Sequence, residues 1–438
     1  MEAARVVSRP LSHVEQFYMA LGKLNFYQAV LVWIDFDLPV DKDGLYAAVL
    51  DVMSKNPALC VHVQNSHTSV PTLELLKEIN LDDIVEFQTN DGEFDSFLTS
   101  ALTFCFDYNE SNVPLWKLIV VNQTKIVLLF DHMVIDGTAA MLTLTSIAWG
   151  MKSQANDTPA TSIMTTNETM SVQPAIEQLA NVGPSLRFMV GLVYEGLRSK
   201  IPILNWYPKR DAKLFGTVRS PASNAFVKIR VVSKERANAL LKACRAHDTT
   251  LTPLLSVLLF AAMSVTYPQA DGFKLCVPIN ARRFMDEANQ ADNLMGSYVF
   301  QVDRVFPSLA KTEFSWTVVA SFGKTLKDGT NLSAGNPLGA LKYLDGKYES
   351  WLSSQIGQDR TEDLELSNIG AVSCPEWVTG VGFAQPLGVM QAALQMTVVG
   401  VLGGGVTITM TGADAVLGEG KGEMIWDAFL RSLDGVAE

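Results

Sequence analysis

Lys125-Ile126-Val127-Leu128-Leu129-Phe130-Asp131-His132-Met133-Val134-Ile135-Asp136-Gly137 changes character halfway along. The run up to Phe130 is apolar after Lys125 and rich in β-formers, which is a strand signal. Upstream, Lys117-Leu118-Ile119-Val120-Val121 reads the same way, and Asn122-Gln123-Thr124 between the two runs supplies a turn, so together they predict a hairpin. Beyond Gly137, Ala140, Met141, Leu144, Ile147 and Ala148 recur at helical spacing. His132 therefore falls at a strand end, on a strand-to-helix turn.

Working outward, strands and helices alternate. Ser12-x-x-Glu15 ahead of Phe17, Met19 and Leu21 is a capping-box pattern and predicts a helix. Asn25 to Asp37 reads as a strand, Asp43 to Lys55 as a helix stopping at Asn56-Pro57, and Ala58 to Gln64 as another strand. Met151 to Asn181 is dense in Ser, Thr, Asn, Gln and Pro and predicts a surface connector between halves. Leu186 to Leu197 has the pattern of an amphipathic helix. The second half predicts a strand over Ala225 to Val232, a helix over Lys234 to Ala246, an apolar and therefore buried helix over Leu254 to Val265, and a buried strand over Phe273 to Ile279. Gln395 to Leu402 and Val406 to Thr411 flank Gly403-Gly404-Gly405 as a second hairpin; no Lys-Ser or Lys-Thr follows, so the glycines do not read as a phosphate loop. The expected organisation is α/β, with an N-terminal domain over residues 1–180, a crossover over 181–220 and a C-terminal domain over 221–438.

Composition narrows the function. The chain has 438 residues, 48% of them hydrophobic, enough for two cores. Its 34 basic against 46 acidic residues give a formal charge of −12, which argues against nucleic acid as a partner. Cys60, Cys105, Cys244, Cys276 and Cys374 are scattered without a C-x-x-C, so they read as small buried hydrophobes and no metal site is expected. Met1-Glu2-Ala3-Ala4-Arg5 does not resemble a signal peptide and no apolar run is long enough to span a bilayer, which predicts a cytoplasmic protein without a transmembrane segment. A monomer is expected.

An imidazole that titrates near neutrality, placed at an opening between layers, is suited to act as a general base toward an alcohol attacking a thioester. The alternative is a satisfied buried histidine with Asp136 as a plain helix cap. Gly137 would supply backbone freedom where the helix starts. No Gly-x-Ser-x-Gly occurs and no Cys adjoins a His in sequence, so no covalent nucleophile is indicated.

His132-x-x-x-Asp136-Gly137 resembles the His-x-x-x-Asp-Gly signature of the chloramphenicol-acetyltransferase-like superfamily. Pro114-Leu115-Trp116, Cys244 to Leu251, Val277-Pro278-Ile279-Asn280-Ala281-Arg282 and Glu365-Leu366-Ser367-Asn368-Ile369-Gly370 are similar to that superfamily in the same order, the last most of all to yeast-type alcohol acetyltransferases. The resemblance implies two mixed-sheet sandwich domains around a central channel. It implies that His132 is the base, that acetyl-CoA is a co-substrate and not a permanently bound cofactor, and that an alcohol is acylated directly, without an acyl-enzyme. It further implies that Asp136 is structural and pairs with an arginine of the other domain, Arg282 being the nearest match and Arg283 the spare; a solvated surface pair is the other reading.

Ser367 and Asn368 are candidates for steadying the oxyanion or holding the acceptor, or else belong to a plain turn. Lys209, Arg210, Lys213 and Arg219 form a basic cluster that would meet coenzyme A phosphates or remain a solvated loop. The rival function is a condensation-like or cyclising catalyst with a carrier-bound or non-CoA substrate, since the same histidine can deprotonate other groups. The Asp-Phe-Gly-Trp-Gly signature of plant acyltransferases is missing, so their acceptor classes do not carry over.

Overall fold

The computed structural model describes residues 6–110, 112–153, 161–198, 215–218, 225–285, 293–307, 314–333, 336–360 and 362–436. Two mixed sheets organise it. The first five-stranded sheet is built on β1 (Val30–Phe36), β2 (Val85–Gln88), β3 (Trp116–Val121) and β4 (Lys125–Phe130). β3 and β4 form the expected hairpin, and its turn residues Asn122 and Gln123 take φ of 50° and 60°, the left-handed pair that matches strand twist. Helices α1 (His13–Lys23), α2 (Lys42–Lys55) and α3 (Gly137–Ser153) belong to this half, with α2 packed along α3.

The second sheet contains β5 (Ala225–Val232), β6 (Gly272–Asn280), β7 (Val299–Pro307), β8 (Leu364–Val372), β10 (Leu394–Val401) and β11 (Val406–Ala413), in the order β5-β11-β10-β8-β6-β7. Helix α4 is Lys234–Ala246, α5 Leu251–Thr266, α6 Trp316–Ser333 and α7 Lys421–Gly435; α5 is buried along nearly all its length and packs on α6 and α7. The remaining strand, β9 (Val378–Ala384), comes from the second half of the chain but joins the first sheet, giving the order β9-β1-β4-β3-β2. The halves are therefore tied by backbone hydrogen bonds as well as side chains. The architecture is the mixed α/β arrangement expected.

Local readings need correction in four places. The first strand starts at Val30, because Asn25 adopts φ 54° and turns the chain after α1. Ala58 belongs to a short 3-10 helix (Pro57–Cys60), and extended backbone begins only at Val61. The Met151 to Asn181 stretch is not wholly a surface connector: Ile163–Thr165 pairs with Glu78–Asn80, and Met170 and Val172 are buried. Finally, Cys105 is exposed and Cys374 half-buried, unlike the other three cysteines. Helix Leu186–Arg198 forms as expected, with Leu186, Val190 and Val193 exposed. Among the described residues no single helix is long and apolar enough to cross a membrane.

Candidate active site

Asp131 extends the β3–β4 ladder by one step, its N–H donating to the Leu115 carbonyl at 2.9 Å. The chain turns immediately afterwards, and Asp136 caps α3: its Oδ1 accepts from the Ala139 N–H at 2.8 Å. His132 is thereby held at the strand end, facing a cavity of about 170 Å³ that opens to solvent between the halves. The capping box at Ser12 and Glu15 fixes the start of α1, with Ser12 Oγ accepting from Glu15 N–H at 3.2 Å and Glu15 Oε2 from Ser12 N–H at 2.8 Å. That helix delivers Tyr18, whose ring stacks on His132 at 4.7 Å with planes 5° apart.

Asp136 and Arg282 form a buried pair, 0% and 2% exposed, with Arg282 Nη1 donating to Asp136 Oδ2 at 2.8 Å. Arg282 follows β6 and Asp136 precedes α3, so the pair joins the two halves, and Arg282 is the partner rather than Arg283. No donor or acceptor of the pair is left idle, which a buried ion pair requires. Asp136 Oδ2 also accepts from the Tyr298 N–H at 2.8 Å, and Asp136 N–H donates to the Gly296 carbonyl at 3.1 Å. Arg282 donates further to the carbonyls of Leu294 and Gly296. These bonds pin the segment 294–298. Gly296 has no side chain because Tyr298 packs over it, leaving no room for a Cβ.

Ser297 rides on that pinned segment, and its Oγ lies 3.3 Å from His132 Nδ1. Asp136 thus acts on the histidine at one remove, by fixing the backbone that carries Ser297. Among the described residues His132 Nε2 has no hydrogen-bond partner, and His132 lines the cavity. Burial lowers the His132 pKa below the usual histidine value, opposed by the nearby Asp136 charge. A neutral ring at pH 7, with one nitrogen held and the other free, can accept a proton. Replacing Ser297 by alanine removes one neutral hydrogen bond of about 1 kcal/mol, so kcat should fall roughly fivefold with little change in melting temperature. Stopped-time assays beside thermal melts check this; unchanged kcat would mean that the stack on Tyr18 alone sets the ring.

Gly137 corrects an expectation. Its φ is not positive, so backbone freedom is not its role; a Cβ there would lie 3.2 Å from Ile369 Cδ1 and 3.3 Å from Phe383 Cζ. The glycine leaves space where α3 meets β8 and β9. Ser367 and Asn368 both line the cavity. Asn368 is engaged internally, its Nδ2 donating to Thr252 Oγ1 at 3.0 Å and its Oδ1 accepting from Gly370 N–H at 2.8 Å, across a bulge in β8. Ser367 carries no partner among the described residues, so its hydroxyl is the freer of the two. Lys209, Arg210, Lys213 and Arg219 lie outside the described residues. Cys276, Asp303 and Glu362 cluster closely enough to suggest a metal site, but the Lys274 ammonium sits there, 3.3 Å from Asp303 and 4.0 Å from Glu362.

Sequence reading missed Tyr18, Tyr27, Ser297, Glu365 and Gln385 as members of this site. Only the capping box before Tyr18 and the segment containing Glu365 gave any local signal.

Similar proteins agree with this architecture. The solved trichothecene 15-O-acetyltransferase TRI3 of Fusarium sporotrichioides superimposes with a TM-score of 0.67 at 12% identity, covering 98% of this chain and 94% of that one. The epimerization domain from the third module of tyrocidine synthetase B gives 0.67 at 14% identity, covering 100% and 98%. In sequence, the N-acetyltransferase SLI1 of Saccharomyces cerevisiae is 20% identical over 90% of this chain and 93% of its own length. The probable alcohol acetyltransferase FCK4 of Fusarium pseudograminearum is 22% identical over 84% and 81%. The family model described as alcohol acetyltransferase matches residues 10–434, and the chain belongs to that family.

Proposed function

We propose that the protein is an acyl-CoA-dependent O-acyltransferase that moves an acetyl group from acetyl-CoA to an alcohol, with His132 as general base. The observation that carries this reading is the free Nε2 of a neutral imidazole facing a cavity, while Nδ1 is held by Ser297. The alcohol hydroxyl gives its proton to Nε2 as its oxygen attacks the thioester carbonyl. A tetrahedral intermediate forms, its oxyanion steadied by a donor such as the Ser367 hydroxyl. The C–S bond then breaks, the ester leaves, and the coenzyme A thiolate takes the proton back from the imidazolium. Acetyl-CoA is a co-substrate in this scheme, with Lys209 and Arg210 as candidate partners for its phosphates.

A second reading is favoured by two specific findings: one relative is named an N-acetyltransferase, and one structural neighbour is a peptide-synthetase epimerization domain. The same base would then serve an amine, or a substrate delivered without coenzyme A. Release of free thiol from acetyl-CoA across matched panels of alcohols and amines decides between them. The O-transfer reading expects acceptor-dependent thiol with alcohols and an ester product. Thiol with amines alone would favour the second reading, and no acceptor-dependent thiol from either panel would remove coenzyme A from the account.

A further inference from the structure

Among the described residues, the cavity that holds His132 is lined by one carboxyl group, that of Glu365 on β8, and by no lysine or arginine. Glu365 is 6% exposed. Its Oε1 accepts from Gln385 Nε2 at 2.8 Å, and Gln385 Oε1 accepts from the Tyr27 hydroxyl at 3.1 Å. Tyr27 in turn stands 6.2 Å from the His132 ring, centroid to centroid. The second carboxyl oxygen of Glu365 has no partner among the described residues, yet it is not among the sealed, unpartnered polar atoms. It therefore borders the cavity.

Strand register adds a second observation. Asp303, Cys276, Glu365, Gln395 and Thr411 are successive partners across the second sheet, so their side chains share one face. Gln395 is 1% exposed and neither its amide nitrogen nor its amide oxygen has a partner. Gln395 is sealed from the cavity, so of this polar row only Glu365 and Cys276 reach it, and Glu365 is the one strong hydrogen-bond acceptor the row presents there. The described residues around Glu365 do not supply a counter-ion: Tyr18, Tyr27 and Cys276 face it as neutral groups, while the Lys274 ammonium is taken by Asp303 and Glu362. Burial accordingly pushes the Glu365 carboxyl up to about 7.

We propose that Glu365 recognises the acceptor, its open carboxyl oxygen accepting a hydrogen bond from a second donor, hydroxyl or ammonium, that the acceptor carries besides the hydroxyl to be acylated. This rests on the acyl-transfer reading above and narrows it: the preferred acceptors are diols or amino alcohols, simple alkanols are poorer, and hydroxy acids are disfavoured because the Glu365 carboxyl opposes a second carboxylate.

The probes are 1-hexanol, 1,2-, 1,4- and 1,6-hexanediol, 6-amino-1-hexanol and 6-hydroxyhexanoate, tested on the full chain and on Glu365→Gln and Glu365→Ala. Calorimetric affinity is measured without acetyl-CoA, and kcat and KM with it; thermal melts verify folding of each variant. For the unmodified protein at least one diol or the amino alcohol should bind about tenfold more tightly than 1-hexanol, the scale of one hydrogen bond to a charged group. The advantage should appear in KM rather than kcat. Glu365→Gln turns an amide N–H toward the cavity and should abolish the ammonium advantage while keeping part of any hydroxyl advantage; Glu365→Ala should abolish both. Equal binding of all probes by the unmodified protein, or a preference that survives in both variants, would overturn the proposal. The unmodified-protein comparison decides even if a variant fails to fold. Thiol release absent with every acceptor would count against acyl transfer, whereas the calorimetric ranking stands or falls independently of turnover.

Discussion

His132→Ala is expected to reduce turnover about 10²- to 10⁴-fold, the usual contribution of a positioned general base, while the protein still melts cooperatively. The ring is only half-buried and borders an open cavity, so its removal leaves no sealed void. What is lost structurally is the stack on Tyr18, at 4.7 Å, an aromatic contact of about 0.5–1.5 kcal/mol. The sign of the pH dependence follows from burial, which depresses the histidine pKa and so keeps the base neutral to lower pH. In the unmodified protein the acid limb of kcat/KM should therefore have its midpoint below the ordinary histidine value of about 6.5, and the variant should lose that limb. Turnover and melting measured on the same preparation check this. A variant retaining more than about a tenth of normal turnover would mean that another group takes the proton.

The second large effect is at the buried ion pair. Asp136→Asn leaves the Arg282 guanidinium with a neutral partner, and Arg282→Ala leaves a carboxylate that is 0% exposed facing no cation. Either change should cost about 3–5 kcal/mol, the scale for stranding one member of a buried pair. Asp136 also caps α3 and holds Tyr298, so Asp136→Asn weakens three contacts together. Activity should fall with stability, because the segment bearing Ser297 is released from the His132 ring. Since both residues serve one network, the losses in the double variant should be well short of additive. Denaturant unfolding of the cycle measures this directly; simple additivity would show that the pair is not the tie between the halves.

Local features of the fold were legible in the sequence because local chemistry determines them. The Ser12 and Glu15 box, the Asn122-Gln123 turn and the spacing behind Gly137 each involve neighbours in the chain. The pairing of Asp136 with Arg282 was reachable only through family resemblance, since 146 residues separate the two. The crossing of β9 was hidden for a related reason: Val378 to Ala384 looks like any strand, and its partner is β1, at the other end of the chain. Site members Ser297, Gln385 and Tyr27 come from segments that meet only once the sheets have packed. Gly137 was misread because a glycine at a helix start suggests backbone freedom, whereas Ile369 and Phe383, which crowd it, are remote in sequence.

Initial rates with acetyl-CoA and an acceptor alcohol varied together test direct transfer from thioester to hydroxyl under His132. Lines that intersect in double-reciprocal form, with ester and free thiol produced in equal amounts, are the predicted result; parallel lines accompanied by a protein carrying one acetyl mass on a serine or cysteine would contradict it.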